Sequence, residues 1–289
     1  MRAGMIGLGA MGTWMARNLA QAGFLSGVYN RTPAKANALA SELQVLAYDT
    51  VESLAAKVNV IFICVSEDRD VMEVIHALSK TIQPESIVVD MSTVSSATAE
   101  LAAEILESVQ VDFLDAPVSG GVEGARHGTL AMMVGGHSKV LEKVYPLLET
   151  MASRIIHIGP TGSGQGTKAV NQVMAAGINQ AVTEALAFAE ALDLPLDKVI
   201  EVISGGAAGN WFLQHRGPTM TQGIFKPGFR CALHYKDLKI CTKMAAENAI
   251  SLPLVSQTLN DYAELIADGY GNEDISTLYR LKAKNLFSS

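Results

Sequence analysis

The sequence predicts an α/β domain built on a mostly parallel, doubly wound sheet, followed by an all-helical domain. Residues 60–65 and 86–90 are strand-like runs with continuous apolar centres, separated by a helical pattern, which is typical of parallel strands buried on both faces. Strand-like runs stop near residue 160, and only helical periodicity, interrupted by prolines, follows. We therefore expect domains at residues 1–160 and 161–289, joined by a long helix at about residues 165–192.

The composition argues against several classes of partner. The 289 residues are 49% hydrophobic and carry a formal net charge of −7, which disfavours binding to nucleic acid or an anionic membrane. The three cysteines show no CxxC spacing and the six histidines no ligand spacing, so we expect reduced thiols and no metal. No targeting pattern or apolar run of membrane-spanning length is present, which predicts a soluble cytoplasmic protein.

A glycine-rich turn follows the first predicted strand directly. The motif Gly7-Leu8-Gly9-Ala10-Met11-Gly12 stands between strand residues 3–7 and a helical pattern at residues 13–22. Here Gly7 permits a tight turn, Gly9 lets the backbone approach a pyrophosphate, and Gly12 permits close packing of a helix whose N-terminus faces the anion. The motif predicts a dinucleotide-binding (Rossmann) domain. A tight turn without a ligand is the alternative.

The end of the second strand indicates which dinucleotide binds. Residues 27–29 are followed by Asn30, Arg31 and Thr32, where an acidic residue usually contacts the ribose 2′-hydroxyl. Arg31 offers a bidentate grip on a 2′-phosphate, Thr32 offers a hydroxyl, and Lys35 adds positive charge. This pattern favours NADP(H) over NAD(H). Exposed charges without a ligand are the alternative.

Other candidates lie where later strands end. Val65 closes one predicted strand and Thr93 follows the next, so both are expected at the carboxyl edge of the sheet, where ligands of doubly wound folds bind. A helix cap is the alternative role of Thr93. Ser119, Gly120 and Gly121 lie in a glycine-rich loop at residues 115–125, whose hydroxyl and amides suit a small anion. A plain turn is the alternative there.

The predicted long helix carries the candidate proton donor. Lys168, Asn171 and Gln172 are spaced i, i+3 and i+4 and therefore share one face. An ammonium beside a carbonyl stabilises charge that develops on oxygen and supplies a proton. We expect this role for Lys168, with Asn171 orienting the substrate or the lysine. A solvated surface lysine is the alternative.

With the glycine-rich turn, the loop from Asp115 to Gly121 and the run Lys168-Ala169-Val170-Asn171, the chain resembles the β-hydroxyacid dehydrogenase family along nearly its whole length. Pro227-Gly228-Phe229 and Lys236-Asp237-Leu238 match a further family signature. The resemblance implies that the first motif, Thr93 and Lys236 bind the cofactor and that Lys168 is catalytic. It also implies that the Ser119 loop holds the substrate carboxylate and that Phe229 and Asp237 shape the pocket. Gln172 departs from the family's more usual asparagine, and His234 and Tyr235 replace residues that are commonly apolar.

The resemblance implies the following function. The Asn30 to Lys35 pattern looks like the glyoxylate/succinic semialdehyde reductase branch, so we expect NADPH-dependent reduction of a small aldehyde acid with Lys168 as proton donor. Alternatives are 3-hydroxyisobutyrate or tartronate semialdehyde chemistry and, in another class, a noncatalytic nucleotide-binding protein. The apolar stripes of the helical domain exceed what it buries alone, which predicts a homodimer or homotetramer. The implied catalytic residues are Lys168, Asn171 and Ser119. The implied substrate contacts are these three residues together with Gly120, Gly121, Gln172, Phe229 and Asp237. Val65 is added to the expected cofactor contacts.

Overall fold

The computed structural model describes residues 1–283. The chain forms two compact units that divide after Lys168, within one continuous helix, α8 (Ser163–Ala191). The predicted boundary near residue 160 lies just before this helix. The two units have different architectures.

A mostly parallel sheet of nine strands forms the centre of the described part of the first unit. The strands are β1 Ala3–Ile6, β2 Leu25–Tyr29, β3 Leu46–Ala47, β4 Val60–Ile63, β5 Ile87–Asp90, β6 Asp112–Asp115, β7 Val118–Ser119, β8 Leu130–Gly136 and β9 Ala152–Gly159. Their order is β3-β2-β1-β4-β5-β6-β8-β7, with β9 also paired to β8. β8 runs antiparallel to β6 and β7, and the other pairs are parallel. β1 to β6 therefore run in one direction and end at one carboxyl edge, whereas β8 and β9 run the opposite way.

Helices cover both faces of this sheet. They are α1 Gly12–Gln21, α2 Pro33–Leu43, α3 Val51–Ala55, α4 Asp68–Leu78, α5 Ser96–Glu107, α6 Gly121–His127 and α7 Ser138–Leu148. Alternate side chains of β4 enter different cores, because successive side chains of a strand point to opposite faces. Phe62 packs in one core with Met15, whereas Ile61 and Ile63 pack in the other with Ile75.

The second unit is helical in its described part, apart from an isolated bridge between Arg230 and Asp274. After α8 come α9 Leu196–Ser204, α10 Trp211–Met220, α11 Cys231–Glu247, α12 Pro253–Ala267, 3-10 turns at Tyr270–Asn272 and Ile275–Leu278, and α13 Tyr279–Lys282. Tyr262 is fully buried in its core, and its hydroxyl accepts a hydrogen bond from Asn179 Nδ2 at 2.9 Å. This bond satisfies a polar group that would otherwise be costly to bury.

The structure confirms the predicted fold class, but the glycine-rich segment at residues 115–125 is not a loop throughout. Val118 and Ser119 pair with β8, and Gly121 begins α6. The small residues Gly124 and Ala125 bury one side of α6, where the Ala125 carbonyl accepts a hydrogen bond from Asn18 Nδ2 at 2.8 Å. Glycine composition alone predicted a loop because it hides this packing. Within residues 1–283, no helix combines the length and apolar character needed to cross a membrane.

Candidate functional site

The glycine-rich turn joins β1 to α1 and leaves its exposed backbone open to an anion. Gly9 and Ala10 are exposed, and a Cβ built on Gly9 would meet nothing within 4 Å. Gly12 is different, since a Cβ there would collide with the carbonyl oxygen of Gly7. The close approach therefore requires glycine and brings the N-terminus of α1 against the turn. An open turn at a helix N-terminus suits a dinucleotide pyrophosphate.

Asn30 at the end of β2 fixes this turn. Its Oδ1 accepts a hydrogen bond from the Leu8 amide at 2.9 Å, and its Nδ2 donates to the Thr32 carbonyl at 3.2 Å. Arg31 and Lys35 are exposed beside it. Arg31 Nη1 forms an ion pair with Asp70 Oδ1 at 3.0 Å. The predicted 2′-phosphate residues thus lie at one strand end. The carboxylate of Asp70 lies beside them, and the sequence pattern did not indicate it.

The predicted cofactor residues Val65 and Thr93 are held by neighbouring polar groups. The Val65 amide donates to Ser92 Oγ at 2.9 Å, and the Ser92 amide donates to Asp90 Oδ1 at 3.0 Å. Gln165 holds the residues on each side of Thr93: its Nε2 donates to the Ser92 carbonyl at 2.8 Å, and its Oε1 accepts from the Val94 amide at 3.2 Å. The segment carrying Thr93 is therefore bound to the start of α8.

Two buried carboxyl groups lie side by side at the carboxyl ends of β5 and β6. Asp90 and Asp115 are register partners at the ends of β5 and β6, and both are fully buried. Burial, with a smaller contribution from the Asp115 charge, raises the pKa of Asp90 to about 6, against hydrogen bonds from Ser92. Burial likewise raises the pKa of Asp115 to about 6, against backbone hydrogen bonds led by that from Gly162. Asp90 Oδ2 accepts no hydrogen bond within residues 1–283.

Lys168 lies near the start of α8 and is only 7% exposed. Ser119 is partly exposed at the end of β7, and Gly120 is the N-terminal cap of α6 with a φ of 127°. These positions are compatible with the predicted proton donor and carboxylate contacts. Those two roles stay predictions.

In the second unit, the predicted pocket residues form a connected polar chain. Asn171 Nδ2 donates to Gln172 Oε1 at 2.9 Å, and Gln172 Nε2 donates to Asp237 Oδ2 at 2.6 Å. Lys236 Nζ forms an ion pair with Asp237 Oδ1 at 2.9 Å. Gln172 is 2% exposed and uses both ends of its carboxamide within this chain. The longer side chain at this position therefore links Asn171 to Asp237.

His234 and Phe229 support this chain. Buried His234 contacts the Gln172 carbonyl through Nε2 at 3.2 Å and the Tyr262 hydroxyl through Nδ1 at 3.0 Å. The amide of the partly buried Phe229 donates to Asp274 Oδ2 at 3.1 Å, and its ring lies 5.2 Å from that of His234. His234 thus replaces a commonly apolar residue with a polar contact to the backbone of Gln172.

Sequence reasoning missed four polar residues near these candidates: Asp70, Asp90, Asp115 and Gln165. Asp90 and Asp115 each end an apolar strand, and parallel neighbours bring such ends together, so their pairing was open to prediction. The ion pair of Asp70 gave no comparable signal, because it depends on the packing of α4. Among residues 1–283, no three His, Cys, Asp or Glu side chains are grouped to hold a metal ion.

Comparisons with known proteins agree with this geometry. Residues 2–159 match the family model for the NAD-binding domain of 6-phosphogluconate dehydrogenase. Residues 162–282 match the model for the NAD-binding part of NADP-dependent 3-hydroxyisobutyrate dehydrogenase. The first match covers the part of the chain that forms the sheet, and the second begins just before α8 and covers the helical part.

Individual proteins are similar along almost the whole chain. The 2-hydroxy-3-oxopropionate reductase of Escherichia coli (strain K12) is 36% identical over 281 residues, covering 96% of each chain. A probable 3-hydroxyisobutyrate dehydrogenase of Mycobacterium tuberculosis (strain ATCC 25618 / H37Rv) is 33% identical over 287 residues, covering 96% of this chain and 97% of the relative. The solved structure of Mycobacterium tuberculosis 3-hydroxyisobutyrate dehydrogenase with L-serine has a TM-score of 0.90 at 32% identity, covering 97% of this chain and 99% of that one. The chain therefore belongs to the β-hydroxyacid dehydrogenase family, the NAD(P)-dependent oxidoreductases of small hydroxy acids.

Proposed function

We propose that this protein reduces a small aldehyde acid, such as glyoxylate or succinic semialdehyde, to the hydroxy acid with NADPH. The observation that carries the proposal is the buried Lys168 at the start of α8, on a chain whose first unit has an open dinucleotide turn. L-serine and 3-hydroxyisobutyrate, named for similar proteins, are small carboxylates with a hydroxyl on the β-carbon. Both support a small hydroxy acid as the product class.

The proposed reaction divides its tasks among named groups. A dinucleotide held at the turn of residues 7–12 would supply a hydride to the aldehyde carbon. As the carbonyl electrons move to oxygen, that oxygen takes a proton from the Lys168 ammonium, which regains one from solvent. Asn171 orients the oxygen or the lysine, and its carboxamide is itself fixed by Gln172 at 2.9 Å. Ser119 and the amides of Gly120 and Gly121 hold the carboxylate, which gives the carbonyl one position.

Comparing substrates and cofactors tests this function. We expect kcat/KM for glyoxylate or succinic semialdehyde to be roughly tenfold or more higher with NADPH than with NADH, since charge-assisted contacts to the 2′-phosphate are lost with NADH. Initial rates of reduction should be measured with NADPH and NADH on these two aldehydes and tartronate semialdehyde, and initial rates of oxidation with NADP⁺ and NAD⁺ on 3-hydroxyisobutyrate and L-serine. A preference for 3-hydroxyisobutyrate or tartronate semialdehyde would support the alternative within the family. Cofactor binding without turnover on any of them would support a noncatalytic nucleotide-binding protein.

The Arg31–Asp70 ion pair gives a sharper test of cofactor choice. Arg31 is 77% exposed at its side chain, so it is available to a 2′-phosphate, but Asp70 lies 3.0 Å away and is 11% exposed. We expect Arg31→Ala to raise KM for NADPH roughly tenfold or more and to leave KM for NADH nearly unchanged. Asp70→Asn should lower KM for NADPH by up to about fivefold, because it removes a negative charge that competes for the arginine.

The matched control for these variants is Arg69→Ala. Arg69 is 74% exposed at its side chain and pairs with Glu73 at 3.6 Å, so its removal changes net charge by the same amount without touching the strand end. Equal effects of Arg31→Ala on both cofactors, or a similar effect of Arg69→Ala, would contradict a 2′-phosphate contact at Arg31.

We also propose a homodimer or homotetramer in the cytoplasm. The large apolar side chains of Val170, Met174 and Phe188 are exposed on α8, and each is more than 60% accessible in the single chain. Exposed apolar side chains of this size on one helix fit a surface that another chain covers.

A further inference from the structure

The first turn of α8 is anchored by a carboxylate from the neighbouring sheet. Asp115 Oδ1 accepts a hydrogen bond from the Gly162 amide at 2.8 Å, and Asp115 Oδ2 accepts one from the Gln165 amide at 2.8 Å. The first amides of a helix have no partners within the helix, and a negative charge is stabilising there. Asp115 therefore supplies both the missing acceptors and the favourable charge.

Close backbone packing leaves this turn no room to shift. A Cβ on Gly164 would collide with the Met133 carbonyl oxygen and would lie 2.6 Å from the Asp115 carbonyl oxygen. The turn thus lies directly against β6 and β8. Its contact on β6 is Asp115, whose carboxylate also accepts the hydrogen bonds from the amides of this turn. Its position relative to the sheet is fixed by steric contact as well as by hydrogen bonds.

The same turn holds the segment that carries Thr93. The Gln165 side chain is 1% exposed, and its two hydrogen bonds reach the Ser92 carbonyl and the Val94 amide, one on each side of Thr93. A carboxamide suits this task because it offers a donor and an acceptor at one end. Lys168 follows Gln165 by three residues and so lies on the same side of the helix, about 4.5 Å further along at 1.5 Å per residue.

We propose that Asp115 and Gln165 are positioning residues: Asp115 fixes the first turn of α8, and Gln165 uses that turn to hold Thr93 at a set distance from Lys168. This inference rests on the proposed function, in which Lys168 gives the proton and Thr93 contacts the cofactor. A displacement of about 1 Å between reacting groups is enough to lower the rate about a hundredfold. A double anchor of the turn therefore has a direct catalytic consequence.

The test compares Gln165→Met and Asp115→Asn with a matched control. Methionine keeps the length of Gln165 but neither hydrogen bond, and asparagine keeps one acceptor oxygen of Asp115. Ser96→Ala is the control, since it removes a hydrogen bond of 2.9 Å from Ser96 Oγ to the Gly162 carbonyl in the same turn without touching Asp115, Gln165 or Thr93. The readouts are kcat, the primary isotope effect with NADPH deuterated at the transferred hydrogen, NADPH affinity by fluorescence titration, and hydrogen exchange of the Val94 amide.

Under the proposal, Gln165→Met lowers kcat roughly 10- to 100-fold, raises the isotope effect and weakens NADPH binding, while the Val94 amide exchanges faster. Asp115→Asn lowers kcat in the same direction. Ser96→Ala keeps kcat within about threefold of the wild type. Faster exchange at Val94 with unchanged kcat and isotope effect would overturn the proposal, as would an equal loss in Ser96→Ala.

Failure of the proposed function gives a different pattern. If the wild type reduces no aldehyde acid, or if Lys168→Ala keeps full turnover, the proposed function is wrong. The NADPH titration needs no substrate, so unchanged NADPH affinity in Gln165→Met would separately overturn the hold on the Thr93 segment.

Discussion

Replacing Lys168 by alanine is expected to lower kcat by roughly 10²- to 10⁴-fold with glyoxylate or succinic semialdehyde, the range for loss of a general acid. NADPH affinity should change less than about threefold, because the proposed contacts to its pyrophosphate and 2′-phosphate come from the dinucleotide turn and Arg31. The expected loss combines the missing proton with the missing positive charge beside the developing oxyanion. Steady-state kinetics over pH 6–9 and NADPH titration measure the two quantities.

Two further variants separate charge from proton transfer. Lys168→Arg keeps the positive charge but holds its proton too tightly to serve as an acid, so its kcat should stay well below that of the wild type. Lys198→Ala, in α9, removes an exposed lysine and should keep full activity. Retention of kcat in Lys168→Ala on every aldehyde that the wild type reduces would remove the lysine from the mechanism.

Replacing Asp90 by asparagine is expected to change how the stability of the first unit depends on pH. Burial raises the pKa of Asp90 to about 6, above the value of about 4 in an unfolded chain. Between these pH values the folded state keeps a proton that the unfolded state has released, so wild-type stability falls as pH rises from about 4 to about 6. Asparagine carries no such proton. The free energy of unfolding of Asp90→Asn, relative to the wild type, should therefore increase by about 2 kcal/mol between pH 4 and pH 7.5.

Urea unfolding of the first unit measures this difference. The sequence has two tryptophans, so in a Trp211→Phe background Trp14 in α1 reports on the first unit. Asp197→Asn in the same background is the control, since Asp197 is exposed in α9. A constant difference between Asp90→Asn and the background at all pH values would show that Asp90 titrates normally.

The sequence predicted the elements that are marked by long, unbroken patterns. The apolar run that became β4 and the proline-free periodicity of α8 each reflect burial that any packing must satisfy. The short helix α3 and the strand β7 were missed, because elements of five and two residues carry almost no periodicity of their own. Their existence depends on the neighbours that they pack against.

The residues of the candidate site also differ in how far their partners lie along the sequence. Gly12 was identified because its role involves the backbone close to it in the sequence, whereas Asn30 was named only as a cofactor contact and its bond to the Leu8 amide was not predicted. Gln165 was passed over inside a glycine-rich stretch, since its partners are 73 and 71 residues away. The link from Gln172 to Asp237 likewise spans 65 residues. Spacing along the chain carries no information about such long-range hydrogen bonds.

The position of Asn30 also bears on how cofactor preference would change by mutation. Its Oδ1 holds the Leu8 amide, and an aspartate would offer the same oxygen at the same reach. Exchange to aspartate would therefore keep the bond to Leu8 and lose the one from Nδ2 to the Thr32 carbonyl, while adding the negative charge that prefers a ribose hydroxyl to a phosphate. Asparagine and aspartate codons differ by a single nucleotide. Under the proposed function, selection for the other dinucleotide thus has a one-step path that keeps the bond to the Leu8 amide.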